Sequence, residues 1–238
     1  VEMERLLFKA RVAIVIKALN EEKHIQRCLE SAVTAAEAVA GVVILADSGS
    51  RDQTIAIASR YPIAIVPLAD WNERRCGIGA QLGYQFADAE YVYILDGDME
   101  LDAGFLPAAL QFLDAHPQHA GVAGLVEEHG GGNYEFEVRK ALDDGRQLGV
   151  QQALDMGGLY RVAMLNQVGH LTNRNLHSYE EKELGFRLTA AGFLLERIAV
   201  PAVRHYGKTD SSITLLWRRW KSRHIDGPGE WIRSLAGT

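Results

Sequence analysis

The chain of 238 residues has few cysteines and no long run of apolar residues. Its two cysteines, Cys28 and Cys76, are too few for a disulfide framework or a cysteine metal cluster, and their scarcity favours a reducing compartment. No apolar run approaches the roughly 18 residues that a membrane-spanning helix needs. The N-terminus shows no signal-peptide pattern. We therefore expect a cytoplasmic protein, with the inner face of the membrane as the alternative location.

The sequence also lacks an overall excess of positive charge. Its formal net charge is −6, whereas a general nucleic-acid-binding protein is usually basic, so we expect no nucleic-acid partner. No segment is low in complexity, and the hydrophobic content of 47% suits a folded globular domain rather than a disordered chain.

Positive charge is nevertheless concentrated at the C-terminus. Residues 204–238 contain seven Lys or Arg residues and three acidic residues, a net charge of +4 that leaves −10 for the rest of the chain. Such a basic segment is suited to contact a phosphate group or an anionic membrane surface. A solvated helix surface explains the same charges equally well.

The first half of the chain alternates short apolar runs with helical patterns. Continuous apolar runs of this length are typical of strands that are buried on both faces. The alternation predicts an α/β fold with a parallel sheet of right-handed βαβ units, in which ligands bind beyond the carboxyl ends of the strands. The four predicted strands are Val12–Ile16, Val42–Ala46, Ile63–Val66 and Tyr91–Leu95.

Capping residues predict where several of the helices begin. Asn20 is expected to cap the first helix, and Asp102 the helix after the fourth strand. Ser50 and Gln53 match a capping box for the second helix. A further helix is expected over residues 73–87.

The second half predicts a mixed sheet that shares the domain with the first half. The expected strands are Gly121–Glu127, Tyr134–Val138 and Phe193–Val200, and the expected helices are Arg161–Val168, Ser178–Ala191 and Ser211–Arg223.

Asp96-Gly97-Asp98 follows the fourth predicted strand directly. Side chains two positions apart on a strand point the same way, and Gly97 lets a ligand approach the backbone closely. Two carboxylates on one side of a strand end repel each other unless a cation lies between them. Mg²⁺ or Mn²⁺ is the natural cation here, with substrate phosphates completing its coordination. The alternative is an ordinary acidic turn, because Asp and Gly are common turn residues.

Three segments occur in an order and spacing that resemble a known family. They are residues 16–22 (IKALNEE), 47–54 (DSGSRDQT) and 94–99 (ILDGDM). With them, the sequence over roughly residues 10–207 resembles family 2 of the glycosyltransferases. The resemblance implies the GT-A fold, a Rossmann-like and mostly parallel sheet flanked by helices, with mixed strands in the second half.

The resemblance also suggests how the chain is organised. We predict one domain over residues 1–238. Within it, residues 10–120 would be the nucleotide-binding half, residues 121–207 the acceptor-binding and catalytic half, and residues 208–238 a basic extension.

The resemblance implies which residues form the site. Asp98 would hold the Mn²⁺ or Mg²⁺ ion that bridges the donor diphosphate, with Asp96 and His205 as further metal candidates. Glu181 would be the catalytic base, and Glu180 is the second candidate for that role. The residues expected to bind the nucleotide sugar are Lys17, Asn20, Glu21, Asp47, Ser48, Gly49, Arg75, Asp96, Gly97, Asp98, Gly157 and Gly158.

Two positions depart from the family pattern. Glu181 stands where the family usually has Asp, and it also matches a capping box with Ser178, in which it would only bond the Ser178 amide. The family often has Ala-Arg-Asn-x-Gly before the fourth strand, where this chain has GAQLG, so Arg74 or Arg75 is the candidate for the missing positive charge. The resemblance also implies that Asp47 accepts a hydrogen bond from the nucleotide base, typically from the uracil imide.

We therefore predict an inverting glycosyltransferase that moves one sugar from a nucleoside-diphosphate sugar, with UDP-sugar as first choice, to a hydroxyl acceptor. The acceptor would be a glycan, a lipid-linked molecule or a small molecule, in glycan, glycolipid or polysaccharide biosynthesis. The basic C-terminal segment is a candidate for peripheral membrane contact. The alternatives are a sugar-phosphate nucleotidyltransferase and a catalytically inactive module that binds sugar nucleotides.

Overall fold

The structure, a computed structural model, describes residues 8–129, 147–155, 157–207 and 211–236. These residues form a single mixed sheet with helices packed around it. Its strands are β1 (Phe8–Ala18), β2 (Val42–Asp47), β3 (Ala64–Pro67), β4 (Ala87–Asp96), β5 (Met99–Leu101), β6 (His119–His129), β7 (Gly149–Gln151), β8 (Gly158–Arg161) and β9 (Leu194–Tyr206).

The helices alternate with the strands in the first half and cluster after them near the C-terminus. None of the helices in the described part of the chain combines the length and hydropathy of a membrane-spanning helix. The α-helices are α1 (Ile25–Glu37), α2 (Thr54–Ala58), α3 (Cys76–Tyr84), α4 (Phe105–Ala115), α5 (Val162–Gln167), α6 (Glu180–Ala190), α7 (Ser212–Lys221) and α8 (Gly227–Ala236), with 3₁₀ turns at Trp71–Glu73 and His224–Asp226.

The strand order is β3-β2-β1-β4-β8-β6-β9-β5, and β7 pairs with β9. Strands β1 to β4 run parallel, as the βαβ pattern predicts. Strand β8 is antiparallel to both β4 and β6, which makes the second half mixed. The parallel register pairs Ala18 with Asp47 and Lys17 with Asp96, so the carboxyl ends of β1, β2 and β4 meet at one edge of the sheet.

The core lies on both faces of β1 and β4. Residues 12–16 have no measurable exposure. On one face Ile14 and Ile16 pack with the apolar sides of α1 and α4, and on the other Val15 and Ile94 pack with α6 and α5. Burial on both faces explains why these strands are continuous apolar runs in the sequence.

The predicted caps in the first two connections are wrong. Helix α1 begins at Ile25 without a side-chain cap, and Asn20 adopts a left-handed conformation, with φ of 56°. The Asn20 Oδ1 atom accepts a hydrogen bond from the Arg51 amide at 2.8 Å, while the Asn20 amide donates to Ser50 Oγ at 2.9 Å. These polar groups therefore join the two loops after β1 and β2 to each other, where local pattern alone suggested helix caps.

The other capping predictions differ from the structure for similar reasons. Helix α2 begins at Thr54, whose amide bonds Asp52 Oδ1 at 3.0 Å, so Ser50 and Gln53 form no capping box. Asp102 accepts from the Gly104 amide at 2.9 Å in a tight turn, and α4 begins only at Phe105 without a side-chain cap.

Some predicted boundaries also move. Helix α3 is shorter than the predicted helix over 73–87, because the chain has already entered β4 at residue 87. Strand β9 extends to Tyr206, so His205 lies inside a strand and not after it. The predicted strand Tyr134–Val138 lies outside the described residues.

Candidate functional site

A cavity of about 800 Å³ opens at the edge where the parallel strands end. We call it the main cavity. It gathers residues from three strand ends, from the start of α6 and from the C-terminal helices. The predicted site residues that line it are Lys17, Glu21, Ser48, Arg75, Asp96, Gly97, Asp98, Glu180 and His205, together with Arg74.

The turn after β2 presents Ser48 to this cavity. Asp47 is only 3% exposed and accepts hydrogen bonds from the Gly49 amide at 2.9 Å and the Ser50 amide at 3.0 Å. Arg74 donates to the carbonyls of Ser48 and Gly49, at 2.7 and 3.1 Å. The Asp47 carboxylate thus fixes the conformation of the turn. Its contact with the nucleotide base of a donor stays a prediction.

Lys17 occupies the centre of a group of three carboxylates. Its Nζ atom lies 2.9 Å from Asp96 Oδ1, 3.3 Å from Glu180 Oε1 and 3.4 Å from Glu181 Oε1. Burial lowers the pKa of Lys17, but these carboxylates outweigh it and hold that pKa well above the ordinary value. The ammonium group therefore stays charged, and it joins the end of β4 to the start of α6.

Glu181 is a buried carboxylate whose surroundings suit it to accept a proton. Its side chain is 12% exposed, and its Oε2 atom is buried without a hydrogen-bond partner among the described residues. Burial is the main cause that raises the pKa of Glu181 to about 8, Lys17 lowers it, and Glu180, Asp96 and Asp155 raise it further. A carboxylate with such a pKa is a stronger base than an ordinary one, and it accepts a proton readily once it is itself ionised.

The capping-box alternative for Glu181 is wrong. Helix α6 begins at Glu180, after Tyr179 in a left-handed conformation with φ of 67° and without a side-chain cap. Ser178 Oγ instead donates to the carbonyl of His224 at 2.7 Å. Tyr179 therefore turns the chain so that Glu180 and Glu181 both reach Lys17.

Asp98 and His205 face each other across the next part of the cavity. His205 Nε2 lies 3.7 Å from Asp98 Oδ2, and its Nδ1 lies 2.8 Å from Glu128 Oε2. Burial lowers the pKa of His205, but the nearby carboxylates of Asp98 and Glu128 outweigh burial and raise that pKa to about 9. Glu128, at the end of β6, is a partner that the sequence pattern did not reveal.

The residues present fit a divalent ion that shares its coordination with phosphate. The described residues contain no group of three or more His, Cys, Asp and Glu side chains that could hold an ion by themselves. Mg²⁺ commonly binds through one or two carboxylates plus substrate phosphates and water. Asp98 faces the cavity and suits that role, whereas Asp96 is engaged by Lys17. The metal roles of Asp96, Asp98 and His205 stay predictions.

Some of the predicted site residues do not line the main cavity. Neither Asn20 nor Gly49 lines it, and Gly157 and Gly158 pack against tyrosines. A Cβ on Gly157, which has φ of +96°, would lie 2.6 Å from the hydroxyl of Tyr93. Close packing against the Tyr93 and Tyr160 side chains accounts for these two glycines. Their contact with a nucleotide sugar stays a prediction.

The C-terminal segment forms a wall that sequence reasoning did not assign to the site. Glu230 on α8 fixes this segment through His177, because its carboxylate accepts from the His177 amide at 2.9 Å and lies 2.8 Å from Nδ1. The sequence feature that could have indicated this wall is the excess positive charge of residues 204–238. The residues of this segment that line the main cavity are Arg218, Lys221, Ser222, Arg223 and His224.

Two smaller spaces continue from the main cavity past Glu181. The side pocket, of about 380 Å³, shares Lys17, Asp96 and Glu180 with the main cavity and adds Glu181. The outer groove, of about 630 Å³, shares Asp155 and Lys182 with the side pocket. Glu181 thus lies between a cavity rich in charge and a groove that leads away from it.

A comparison with known families decides the class of the protein. The sequence profile described as Glycosyl transferase family 2 matches residues 13–174, more than half of the chain. The chain belongs to glycosyl transferase family 2. The match covers the ends of β1, β2 and β4, and it stops before Glu181 and His205, whose roles therefore rest on the geometry described above.

Solved structures confirm the GT-A fold of this family 2 chain. Residues 1–349 of TarS from S. aureus, in complex with UDP-GlcNAc, superpose with a TM-score of 0.68 at 16% identity, covering 86% of this chain and 60% of that one. The mannosyltransferase PcManGT from Pyrobaculum calidifontis, in complex with GDP-Man and Mn²⁺, gives 0.66 at 17% identity, covering 95% and 65%. The family 2 chain thus spans about three fifths of the length of these two solved chains, and 37% of a longer solved chain of S. aureus TarS.

Proposed function

We propose that this family 2 chain transfers one sugar from a nucleoside-diphosphate sugar to an acceptor hydroxyl, with inversion at the anomeric carbon. The observation that carries this proposal is the position of Glu181. Its carboxylate, one oxygen of which has no hydrogen-bond partner among the described residues, lines the side pocket together with Lys17 and Asp96, which also line the main cavity.

The main cavity supplies complementary charges for the donor. Arg74, Arg75, Arg218, Lys221 and Arg223 line it and would face the diphosphate. The fold relatives bind UDP-GlcNAc or GDP-Man according to their complexes, and both ligands are nucleoside-diphosphate sugars. We retain UDP-sugar as the first donor to test.

A divalent cation would be held by Asp98, with His205 as the second candidate ligand; His205 would have to give up its Nε2 proton when the ion binds, because only a neutral imidazole coordinates a metal. When bound, Mn²⁺ or Mg²⁺ neutralises charge on the departing diphosphate. Glu128 fixes the His205 ring from the other side at 2.8 Å, so the imidazole keeps its orientation towards Asp98. Lys17 holds Asp96 beside this position.

The acceptor would reach Glu181 through the side pocket and the outer groove. The groove offers aromatic surfaces from Phe186 and Trp231 and amide groups from Gln151 and Gln152, a combination suited to a polyhydroxylated acceptor. The acceptor oxygen forms a bond to the anomeric carbon as its proton passes to Glu181. The bond from that carbon to the diphosphate oxygen breaks, and the diphosphate leaves with the electron pair. One displacement of this kind inverts the configuration.

The test is release of nucleoside diphosphate from a panel of donors with Mn²⁺ or Mg²⁺. We expect slow hydrolysis of the correct donor and faster release with a suitable acceptor. Asp98→Ala should abolish both. Asp88→Ala is the matched control, because Asp88 is an exposed aspartate near the other end of the same strand, β4.

Two results would contradict the proposal. Tight binding of a donor without turnover would favour an inactive binding module. Formation of a nucleotide sugar from a nucleoside triphosphate and a sugar phosphate would favour a nucleotidyltransferase, an alternative that the family match does not support.

A further inference from the structure

Helix α7 exposes a stripe of large apolar side chains. The four residues have the spacing i, i+3, i+4 and i+7, which places them on one face of a helix. A helix of a globular protein normally turns such a stripe towards the core, yet α7 has no buried residue. The exposed residues and fractions are Ile213 (82%), Leu216 (65%), Trp217 (58%) and Trp220 (65%).

The basic residues of the same helix line the cavities of the candidate site. Arg218 and Lys221 line the main cavity, and Arg219 lines the side pocket. Arg218 lies nearly opposite the stripe around the helix, and Arg219 and Lys221 flank the stripe on either side. The centre of the apolar face therefore points away from the cavities. The described residues bury none of the four stripe side chains.

We propose that the apolar face of α7 docks on the surface of an anionic lipid bilayer. Two of its four large side chains are tryptophans, which favour the boundary between headgroups and acyl chains. The Lys221 Nζ atom lies 5.1 Å from the ring centroid of Trp217, so a cation borders the stripe. An amphipathic helix with aromatic and aliphatic residues on one face and basic residues beside them lies in the plane of such a surface.

The charge distribution of the chain favours an anionic lipid surface over a second copy of the same chain as the partner of α7. Residues 204–238 carry a net charge of +4, whereas the rest of the chain carries −10. A second copy of this chain would therefore bring a strongly acidic body towards its own, whereas anionic lipids attract the basic segment and repel the acidic one. That difference orients the protein with α7 towards the membrane.

Docking would place both the main cavity and the side pocket close to the bilayer, because residues of α7 line each of them. Because α7 lies between these cavities and the bilayer, the distance is about one helix diameter, roughly 10 Å. We infer that the acceptor is carried by a lipid, with its reacting hydroxyl in the headgroup region. This part of the inference rests on the proposed function, whereas the docking itself does not.

The test is flotation of the full chain with vesicles of phosphatidylcholine, with and without 30% phosphatidylserine. We expect flotation with the anionic vesicles and little with the neutral ones, and we expect 0.5 M NaCl to weaken it through screening. The double variant Leu216→Ser/Trp220→Ser should bind at least about tenfold more weakly, because it removes half of the apolar stripe. Leu125→Ser, on strand β6, is the control for removal of an exposed apolar side chain outside the C-terminal segment, and it should float like the wild type.

Three outcomes would overturn the proposal. The first is no flotation of the wild type, and the second is equal flotation with both kinds of vesicle. The third is a dimer, seen in light scattering, that does not bind vesicles and that the Leu216→Ser/Trp220→Ser variant abolishes. Donor hydrolysis without vesicles is measured on the same samples. If hydrolysis is retained without flotation, docking alone fails; flotation without hydrolysis of any donor contradicts only the proposed function.

Discussion

At the scale of single residues, the state of Glu181 depends on its charged neighbours. The group is buried, close to three other acidic side chains and to one ammonium group, Lys17. Without Lys17, the pKa of Glu181 would rise further, because the neighbouring carboxylates disfavour its ionised form and the opposing ammonium charge would be missing. Lys17 therefore decides how readily Glu181 is available as a base.

We expect Glu181→Gln to lower kcat by about 10²- to 10⁴-fold, because a general base contributes that much to catalysis. The donor should still bind with nearly unchanged affinity, since Glu181 does not line the main cavity. The measurements are steady-state kinetics and calorimetric titration with the nucleoside diphosphate. Glu180→Gln is the matched comparison; a larger loss of kcat in that variant would assign the base to Glu180.

The pH dependence of kcat/KM should report the same group. A base acts only when deprotonated, so we expect kcat/KM to rise with pH and to reach half its limit near the Glu181 pKa of about 8. Lys17→Met should move this midpoint to higher pH, because Lys17 lowers the pKa of Glu181. A pH–rate profile of both proteins tests this, and an unchanged midpoint would contradict it.

The contribution of Glu181 to the free energy of unfolding should fall as pH rises, whereas kcat/KM should rise. The pKa of Glu181 rises from the ordinary 4.5 to about 8 in the folded chain, so the folded state binds more protons across that interval. This contribution to the free energy of unfolding is complete below about pH 4.5 and is lost as pH rises through about 8. Glu181→Gln should therefore stabilise the protein more at pH 8 than at pH 5 in urea unfolding. An equal effect at both pH values would argue against the raised pKa.

At the scale of elements, the start of α6 depends on the C-terminal segment. Glu230 on α8 bonds the amide and ring of His177, and Ser178 donates to the carbonyl of His224. These contacts fix the chain just before the left-handed Tyr179. Glu230 is therefore a positioning residue for Glu180 and Glu181.

We expect Glu230→Ala to destabilise the fold by about 1–3 kcal/mol, because it leaves the buried His177 amide without its acceptor. We also expect a lower kcat with a smaller change in the KM for the donor. Glu230→Gln keeps one acceptor oxygen and should recover part of both losses. Urea unfolding and kinetics measure them, and a loss of stability without any loss of kcat would remove the positioning role.

The close packing of α6 on residues 152–153 gives a second prediction at this scale. A Cβ on Gly185 would lie 2.2 Å from the Gln152 carbonyl oxygen and 2.8 Å from Ala153 Cα. Gly185→Ala should therefore destabilise the fold by about 1–3 kcal/mol. Gly229→Ala, within α8, is the control: its Cβ meets nothing closer than 3.7 Å, and it should stabilise by up to about 1 kcal/mol. Equal effects in urea unfolding would contradict the packing.

At the scale of the whole molecule, the described strands of both halves belong to one sheet. The first half supplies Lys17, Asp96 and Asp98, and the second supplies Glu181 and His205. Because β8 pairs with β4, and β6 and β9 follow across the sheet, ligand binding at the main cavity should stabilise both halves together.

A thermal-shift measurement tests this coupling. A nucleoside diphosphate at 100 times its Kd should add about 2.7 kcal/mol, which for a domain of this size corresponds to about 5–10 °C in Tm. We expect the shift to need Mn²⁺ or Mg²⁺ and to fall strongly in Asp98→Ala. An equal shift without any divalent cation would contradict a metal role for Asp98. A biphasic transition would contradict coupling of the halves.

The sequence by itself determined the first half of the fold and the position of its acidic residues. Strands β1, β2 and β4 are buried on both faces, so each is a continuous apolar run that local pattern reveals. Parallel strands align their carboxyl ends, and this rule alone is enough to place Lys17, Asp96 and Asp98 at one edge of the sheet. The family resemblance rested on these same segments.

Only the tertiary structure decided which polar groups pair. Lys17 meets Glu181 across 164 positions of sequence, and Asn20 meets Arg51 across 31, where the pattern suggested local helix caps. The C-terminal wall, Glu128 behind His205 and Glu230 behind His177 likewise arise from elements that are distant in sequence. The physical reason is that burial of apolar residues leaves a local period in the sequence, whereas hydrogen bonds and ion pairs need only proximity, which the packing of the elements creates.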